Sequence, residues 1–285
     1  MEGVVLVSPE TYNVSYSINP LTNKKSVVDP KKAAEQFKRL KARFENSNIP
    51  VHVIEALKAD PEGRYPYLVF VSNSALIIKG TKVAILSRYA FPERQGEEDR
   101  VGAYLKHMLG YRILLLPKAI GLYFEGQGDT RWSDGNHLWI SYGTGRTTKS
   151  GIEAVRSYIL AEKAPILIHA LHITQKKTYH LDLCFLPLQN GRVLLHEGSF
   201  SPASRKEIEN HFGKDNVIHV PIKYMYACNS VQLNDKTLLI PKLGDGCRQW
   251  MHEKTGMRIE EVNVGEFQLA GGSVSCMVLP LWASA

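Results

Sequence analysis

Residues 75–116 read ALIIKGTKVAILSRYAFPERQGEEDRVGAYLKHMLGYRILLL, and this stretch sets the architecture. Two β-rich runs at 76–79 and 82–87 flank Gly80-Thr81, which predicts a hairpin with a two-residue turn. Pro92 ahead of Glu93 opens an amphipathic segment predicted helical over 93–109, and 112–116 is β-rich again. The unit is therefore strand, hairpin partner, helix, strand.

The same order recurs along the chain. Amphipathic periodicity predicts four more helices at 30–48, 148–162, 202–212 and 244–255. Their starts carry Asp29-Pro30, Thr147-Thr148, Ser201-Pro202 and Gly244-Asp245. Further β-rich runs fall at 67–72, 138–142, 165–171, 179–188, 192–196 and 236–240. Five units of about 57 residues account for all 285, although the residues themselves are not visibly repeated. An α/β fold built by radial repetition is expected. An open Rossmann-like sheet fits less well, because strands are paired between helices and no GxGxxG turn opens a helix.

Composition agrees with one globular catalytic domain over 1–285, since no Pro/Ser-rich linker divides the chain. Hydrophobic residues make up 44%, and 35 Lys+Arg against 28 Asp+Glu leave a formal charge of +7. The basic residues are thinly spread. Lys31-Lys32 and Lys38-Arg39-Lys41-Arg43 share a segment with Phe37, Leu40 and Phe44 at helical spacing, so they read as its solvated face. No nucleic-acid module accompanies them, and no nucleic-acid partner is expected. No run approaches 18 apolar residues, and the short apolar N-terminus lacks preceding basic residues, so neither a membrane span nor a signal peptide is expected. The four cysteines, Cys184, Cys228, Cys247 and Cys276, form no CxxC pair, which points to a reducing, cytoplasmic setting.

One polar residue in each unit carries the chemistry, with a sixth in the last segment, which closes the first unit. Asn19, Asn73, Glu125, His180, Asn229 and Cys276 are spaced by 54, 52, 55, 49 and 47 residues, each read as following or ending the first β-run of its unit. Equivalent positions in a ring of repeats face the axis, so these side chains are expected to converge on one pocket. Cys276 follows Gly271-Gly272, a pair that lets backbone approach a ligand, and its thiolate would be a strong nucleophile beside a cation. His180 is suited to protonate a leaving group and then activate water. With Glu125, Asp129 and Asp182 nearby, the pocket favours a planar guanidinium. Such a cation would itself lower the pKa of Cys276.

These residues, with Phe-Pro-Glu-Arg-Gln-Gly-Glu-Glu at 91–98, Phe-Glu-Gly-Gln-Gly-Asp at 124–129, Gly-Arg-Thr at 145–147, Tyr-His-Leu-Asp at 179–182 and Gly-Gly-Ser-Val-Ser-Cys-Met at 271–277, resemble the guanidine-modifying pentein superfamily. That group includes dimethylarginine dimethylaminohydrolases, arginine deiminases, arginine dihydrolases and amidinotransferases. The resemblance spans nearly the whole chain and implies a five-bladed α/β propeller of ββαβ repeats. It implies that Cys276 attacks the guanidino carbon, that His180 is acid and base, and that Glu125 and Asp182 hold guanidinium nitrogens. Arg146 would bind the substrate carboxylate, and a covalent thiouronium intermediate would be hydrolysed by water. Neither metal nor organic cofactor is implied.

Asn73 departs from the acid that deiminases and dimethylarginine hydrolases place there and resembles the arginine dihydrolases, as does Asn19. An amide both donates and accepts, so it would retain the neutral ureido group of citrulline for a second hydrolysis. Arginine dihydrolase or deiminase activity is the leading expectation, and dimethylarginine hydrolysis is the alternative. Amidino transfer and an inactivated binding module rank lower, the last because Cys276, His180 and Glu125 are all present. A second departure is Gly145, where relatives commonly carry an aromatic residue. Arg88 and Arg94 would bind the amino-acid end of substrate or hold their own loop. Asp129 would touch substrate or cap its Gly-rich turn. His169, His172 and His196 read as structural, with no third ligand near the first two. The sequence leaves a homo-oligomer open.

Overall fold

A computed structural model describes residues 1–282 apart from Lys24 and Asp245. Its strands form five three-stranded sheets among the described residues. The first joins β1 (Gly3–Val7) and β2 (Val51–Ile54) to the C-terminal β15 (Leu279–Leu281). The second holds β3 (Ala75–Ile77), β4 (Val83–Leu86) and β5 (Arg112–Leu114), and the third β6 (Thr130–Trp132), β7 (His137–Tyr142) and β8 (Leu167–His172). The fourth holds β9 (Phe185–Pro187), β10 (Val193–Leu195) and β11 (Val217–His219), and the fifth β12 (Val231–Gln232), β13 (Thr237–Pro241) and β14 (Arg258–Val262).

Every sheet pairs its middle strand antiparallel to one neighbour and parallel to the other. A parallel pair needs a crossover, and one helix supplies it each time. These are α1 (Pro30–Glu45), α2 (Glu97–Leu109), α3 (Lys149–Ala161), α4 (Pro202–Phe212) and α5 (Cys247–Thr255). The middle strands β4, Val-Ala-Ile-Leu, and β13, Thr-Leu-Leu-Ile-Pro, are buried at every position, so they show the continuous apolar run of a covered strand rather than alternation. On α1, Leu40 and Phe44 are buried while Lys31, Lys32, Lys38 and Arg39 are exposed, the solvated face expected of that segment. No helix among the described residues is long and apolar enough to cross a membrane.

Helix α2 begins four residues later than expected, because Pro92–Arg94 form a 3-10 turn and Gly96 adopts φ +106°. A Cβ at Gly96 would lie 2.3 Å from the Tyr65 hydroxyl, so both conformation and space require glycine there. The hairpin loop is also longer than expected, four residues at 79–82. Ile78 N–H donates to Val83, and Thr81 Oγ1 donates to the Ile78 carbonyl while accepting from Val83 N–H. The run at 67–72 is not a strand but parts of two 3-10 turns, Pro66–Val69 and Val71–Ser74. Its carbonyls at Tyr67 and Phe70 accept from Arg94 Nη2 instead of a neighbouring strand. Of the run at 179–188, only Phe185–Pro187 is strand. Asp245, read as part of the last helix start, lies outside the described residues.

Helix α3 is capped by Thr148, whose hydroxyl accepts from Gly151 N–H. A Cβ on Gly151 would sit 1.9 Å from the Tyr123 carbonyl oxygen, backbone that has no room to yield. Gly151→Ala is expected to destabilise the chain by roughly 1–3 kcal/mol, read as a lower denaturant midpoint with an unchanged slope.

Candidate active site

The site residues sit on tight turns just before the strands that lead each sheet, not at the ends of those strands as the sequence pattern suggested. Asn73 lies in the turn Val71–Ser74 before β3, and Glu125 precedes the turn Gly126–Gly128 before β6. His180 precedes the turn Leu181–Leu183 before β9 and Asp182 lies within it, Asn229 precedes β12, and Cys276 lies in the turn Ser275–Met277 before β15. A 3-10 turn is short and directs its side chains differently from a strand, so each polar group is set at the end of a buried strand without joining the ladder.

A small cavity is lined by Asn19, Asn73, Arg94, Arg146, His180 and Cys276, among others. Two hydrogen-bonded sets meet there. In the first, Glu125 Oε2 accepts from His180 Nε2 at 2.8 Å and from Arg146 Nη1 at 3.0 Å, while Asn73 Nδ2 donates to His180 Nδ1 at 3.2 Å. These contacts fit the neutral imidazole with its proton on Nε2. In the second, the Cys276 thiol donates to Asp182 Oδ2 at 3.2 Å and accepts from Asn229 Nδ2 at 3.2 Å. Asn229 Oδ1 also accepts from Ser275 N–H at 2.9 Å, so one amide fixes both the turn and the sulfur.

Electrostatics divide the two sets. Burial alone would raise the Glu125 carboxyl, but the Arg146 guanidinium and the hydrogen bond from His180 hold it at about 2. Burial pushes the Cys276 thiol well above its ordinary range, and Asp182 beside it pushes the same way. The resting sulfur is therefore a thiol. Glu125 Oε1 and Asp182 Oδ1 are buried without a hydrogen-bond partner. Orphaned buried carboxylate oxygens are costly and rare, and they mark where donors are wanted.

The other expected residues fall into different places. Asp129 is fully satisfied: Oδ1 accepts from Ser141 and Leu181 N–H, and Oδ2 from Thr147 at 2.6 Å. It ties the segments bearing Arg146 and His180 together instead of facing the cavity. Arg88 is not at the cavity, since its Nε and Nη2 donate to the carbonyls of Leu122 and Ala119 and hold that loop. Arg94 is buried in an ion pair with Glu97 at 2.6 Å and lies 4.5 Å from the Tyr89 ring centre. Arg146 spends one nitrogen on Glu125 and another on the Ile18 carbonyl, 2.7 Å away, with its guanidinium 4.3 Å from the centre of the Phe91 ring. Asn19 Nδ2 donates to the Ala270 carbonyl. Gly272 lines the cavity, and the Gly271-Gly272 pair makes room for other lining residues: a Cβ on Gly272 would meet Phe70 at 2.2 Å and one on Gly271 would meet Asn19 at 2.5 Å.

Sequence reading overlooked Arg131. It is buried in β6, donates to the Ser275 hydroxyl at 2.6 Å and stands 3.9 Å from Asp182, behind the turn that carries Cys276. A lone arginine in the short apolar strand Thr-Arg-Trp was the available signal. Gly128 is a second such residue, because a Cβ there would lie 2.4 Å from Asn73 Nδ2.

The family described as N,N dimethylarginine dimethylhydrolase, eukaryotic, matches residues 9–283. The chain belongs to this family. Within the wider set of relatives, this dimethylarginine dimethylhydrolase family member is 32% identical over 96% of its length to the bifunctional arginine dihydrolase/ornithine cyclodeaminase AgrE of Nostoc sp.. It spans 37% of that protein's length. It is 23% identical over 97% of its length to the N(G),N(G)-dimethylarginine dimethylaminohydrolase of Mycobacterium tuberculosis, covering 84% of that enzyme. A solved structure of the N-terminal domain of ArgZ, covalently bonded to a reaction intermediate, superposes with a TM-score of 0.85 at 27% identity, covering 97% of this chain and 96% of that one.

Proposed function

We propose that the 285 residues form one catalytic domain, a cysteine-dependent hydrolase of guanidino compounds whose preferred reaction is arginine to ornithine. The observation that carries this reading is the pair of unpartnered oxygens, Glu125 Oε1 and Asp182 Oδ1, each on a carboxylate whose other oxygen is fixed on His180 or Cys276. A planar guanidinium offers them paired N–H donors and brings its carbon to the sulfur.

Substrate charge then sets the chemistry in motion. A guanidinium beside Cys276 opposes both burial and Asp182, so with substrate bound the thiol gives its proton to His180, which becomes an imidazolium. Sulfur attacks the guanidino carbon, His180 protonates the departing ammonia, and a thiouronium remains on Cys276. Water, deprotonated by His180, adds to that carbon and expels the thiolate, leaving citrulline. A second round on the ureido carbon releases ammonia and carbon dioxide and leaves ornithine. Asn73, beside His180, holds the neutral ureido group through the second round. The cavity is about 20 Å3, room for roughly one water, so binding requires its wall to move. The wall includes Ile18, whose carbonyl accepts from Arg146, and Asn19, whose Nδ2 donates to the Ala270 carbonyl. Arg146 and Arg94 are the cations available to the substrate carboxylate once the Ile18 carbonyl is displaced.

The arrangement we favour is a five-bladed propeller. Supporting it, residues of β6, β9, β12 and β15, together with Lys79 after β3, line one cavity of about 510 Å3. Leading strands of four sheets, with the loop after the second sheet's leading strand, around one space are what a ring of ββαβ units would give.

Dimethylarginine hydrolysis is the second reading, favoured by the family's own description. Asn73→Asp tests the amide's part in the first reading: it is expected to shift product from ornithine to citrulline by about tenfold, the ~1.4 kcal/mol of one lost hydrogen bond. An unchanged ornithine yield removes Asn73 from that role. Acid quenching during turnover, followed by mass measurement of the peptide bearing Cys276, tests the reaction itself. An amidino-type adduct on Cys276 is expected, and its absence under turnover contradicts covalent catalysis.

A further inference from the structure

Away from the cavity, three imidazoles gather where the third and fourth units meet. His137 and Trp139 share a face of β7, His169 stands opposite Trp139 on β8, and Glu207 and His211 lie one turn apart on α4. One ligand nitrogen from each of His137, His169 and His211 lies within 4.8 Å of the other two. His137 Nδ1 and His169 Nε2 are 2.8 Å apart, and His169 Nδ1 is 2.9 Å from Glu207 Oε1. Trp139 stacks on His169 with ring centres 4.0 Å apart at 17°, which fixes that ring's plane.

We propose that His137, His169 and His211 form a divalent transition-metal site of the zinc class, with Glu207 orienting His169 and water completing the shell. Zn–N bonds of about 2.0–2.1 Å at tetrahedral angles place ligand nitrogens about 3.3 Å apart. The spacings present bracket that value, so small side-chain rotations close the site. A histidine that ligates through one nitrogen and donates the other N–H to a carboxylate is the usual support of a metal-bound imidazole, and His169 with Glu207 has that form. Imidazole-only donors suit zinc, copper or nickel rather than magnesium or calcium. On binding, the proton between His137 and His169 moves to His137 Nε2, leaving both facing nitrogens free to ligate. The metal would clip α4, which crosses over the fourth sheet, to β7 and β8 of the third. Its role is structural and separate from guanidine chemistry.

The test uses the Cys276→Ser chain, so that the nucleophile cannot hold the metal. Equilibrium dialysis against Zn2+ is expected to give about one ion per chain, with a melting temperature that rises with Zn2+ concentration. Adding Glu207→Ala should weaken binding about 10- to 100-fold, and adding His211→Ala at least as much. Both residues are exposed or near the surface, and equal melting temperatures in chelator confirm that the variants fold. As a second readout, Co2+ should quench the indole fluorescence that Trp139→Phe removes. No zinc bound to the Cys276→Ser chain, or the same affinity with and without His211, overturns the site.

Discussion

Cys276→Ser is expected to lower arginine turnover by at least about 10^4-fold while leaving the fold in place. The substitution is nearly isosteric. A serine hydroxyl can still donate to Asp182 and accept from Asn229, so neither buried partner is orphaned. What is lost is the proposed nucleophile, because a hydroxyl at this position has neither a thiol's acidity nor a base poised on it. His180 is turned toward Glu125, which accepts its Nε2 proton. The check is turnover beside a denaturation midpoint: turnover collapses and the midpoint moves little. The same variant should still bind arginine, because Glu125 and Asp182 are unchanged.

Glu125→Gln is expected to cost about 3–5 kcal/mol of stability at neutral pH, in addition to abolishing activity. Glu125 is the buried anion between Arg146 and His180, and the neutral amide leaves the Arg146 cation uncompensated. The pH dependence carries the sign of a depressed carboxylate. Glu125 is held at about 2 against an ordinary 4.5, so the folded state binds fewer protons than the unfolded one between those values. Its contribution is fully present above pH about 4.5 and is lost as pH falls toward 2. Denaturation of parent and variant at several pH values should therefore show a wide gap near neutrality that narrows in acid. A gap that is constant with pH would mean that Glu125 is not the charged partner described.

Much of this arrangement was legible in the residues, for physical reasons that differ by element. Helices α1 and α4 begin at Pro30 and Pro202, because proline fits only the first turn and the preceding Asp29 or Ser201 caps the free N–H groups. The approximate period of the polar residues was legible because each ββαβ unit needs about the same length to cross its sheet. Where the reading failed, tertiary contacts decided. The run at 67–72 looks like a strand by composition, yet Arg94 binds its carbonyls and curls it into turns that present Asn73. Gly271-Gly272 reads as a ligand-approach motif, and Gly272 does line the cavity, but that role also depends on Phe70 and Asn19, which pack against the pair from distant segments. Asp129 has the composition of a site residue and is consumed by Ser141, Thr147 and Leu181. His169 lacked a nearby partner in sequence because its neighbours, His137 and His211, come from another strand and from the helix of the next unit. Such convergence of distant segments leaves no local pattern.

Product stoichiometry on arginine tests the central claim most directly. Incubation of the unmodified chain with arginine should yield ornithine with two ammonia per molecule, and the Cys276→Ser chain should yield neither. Citrulline and dimethylamine from asymmetric dimethylarginine, with arginine untouched, would transfer the assignment to the second reading. No product from either compound, or equal turnover by the Cys276→Ser chain, would contradict a cysteine-dependent guanidino hydrolase.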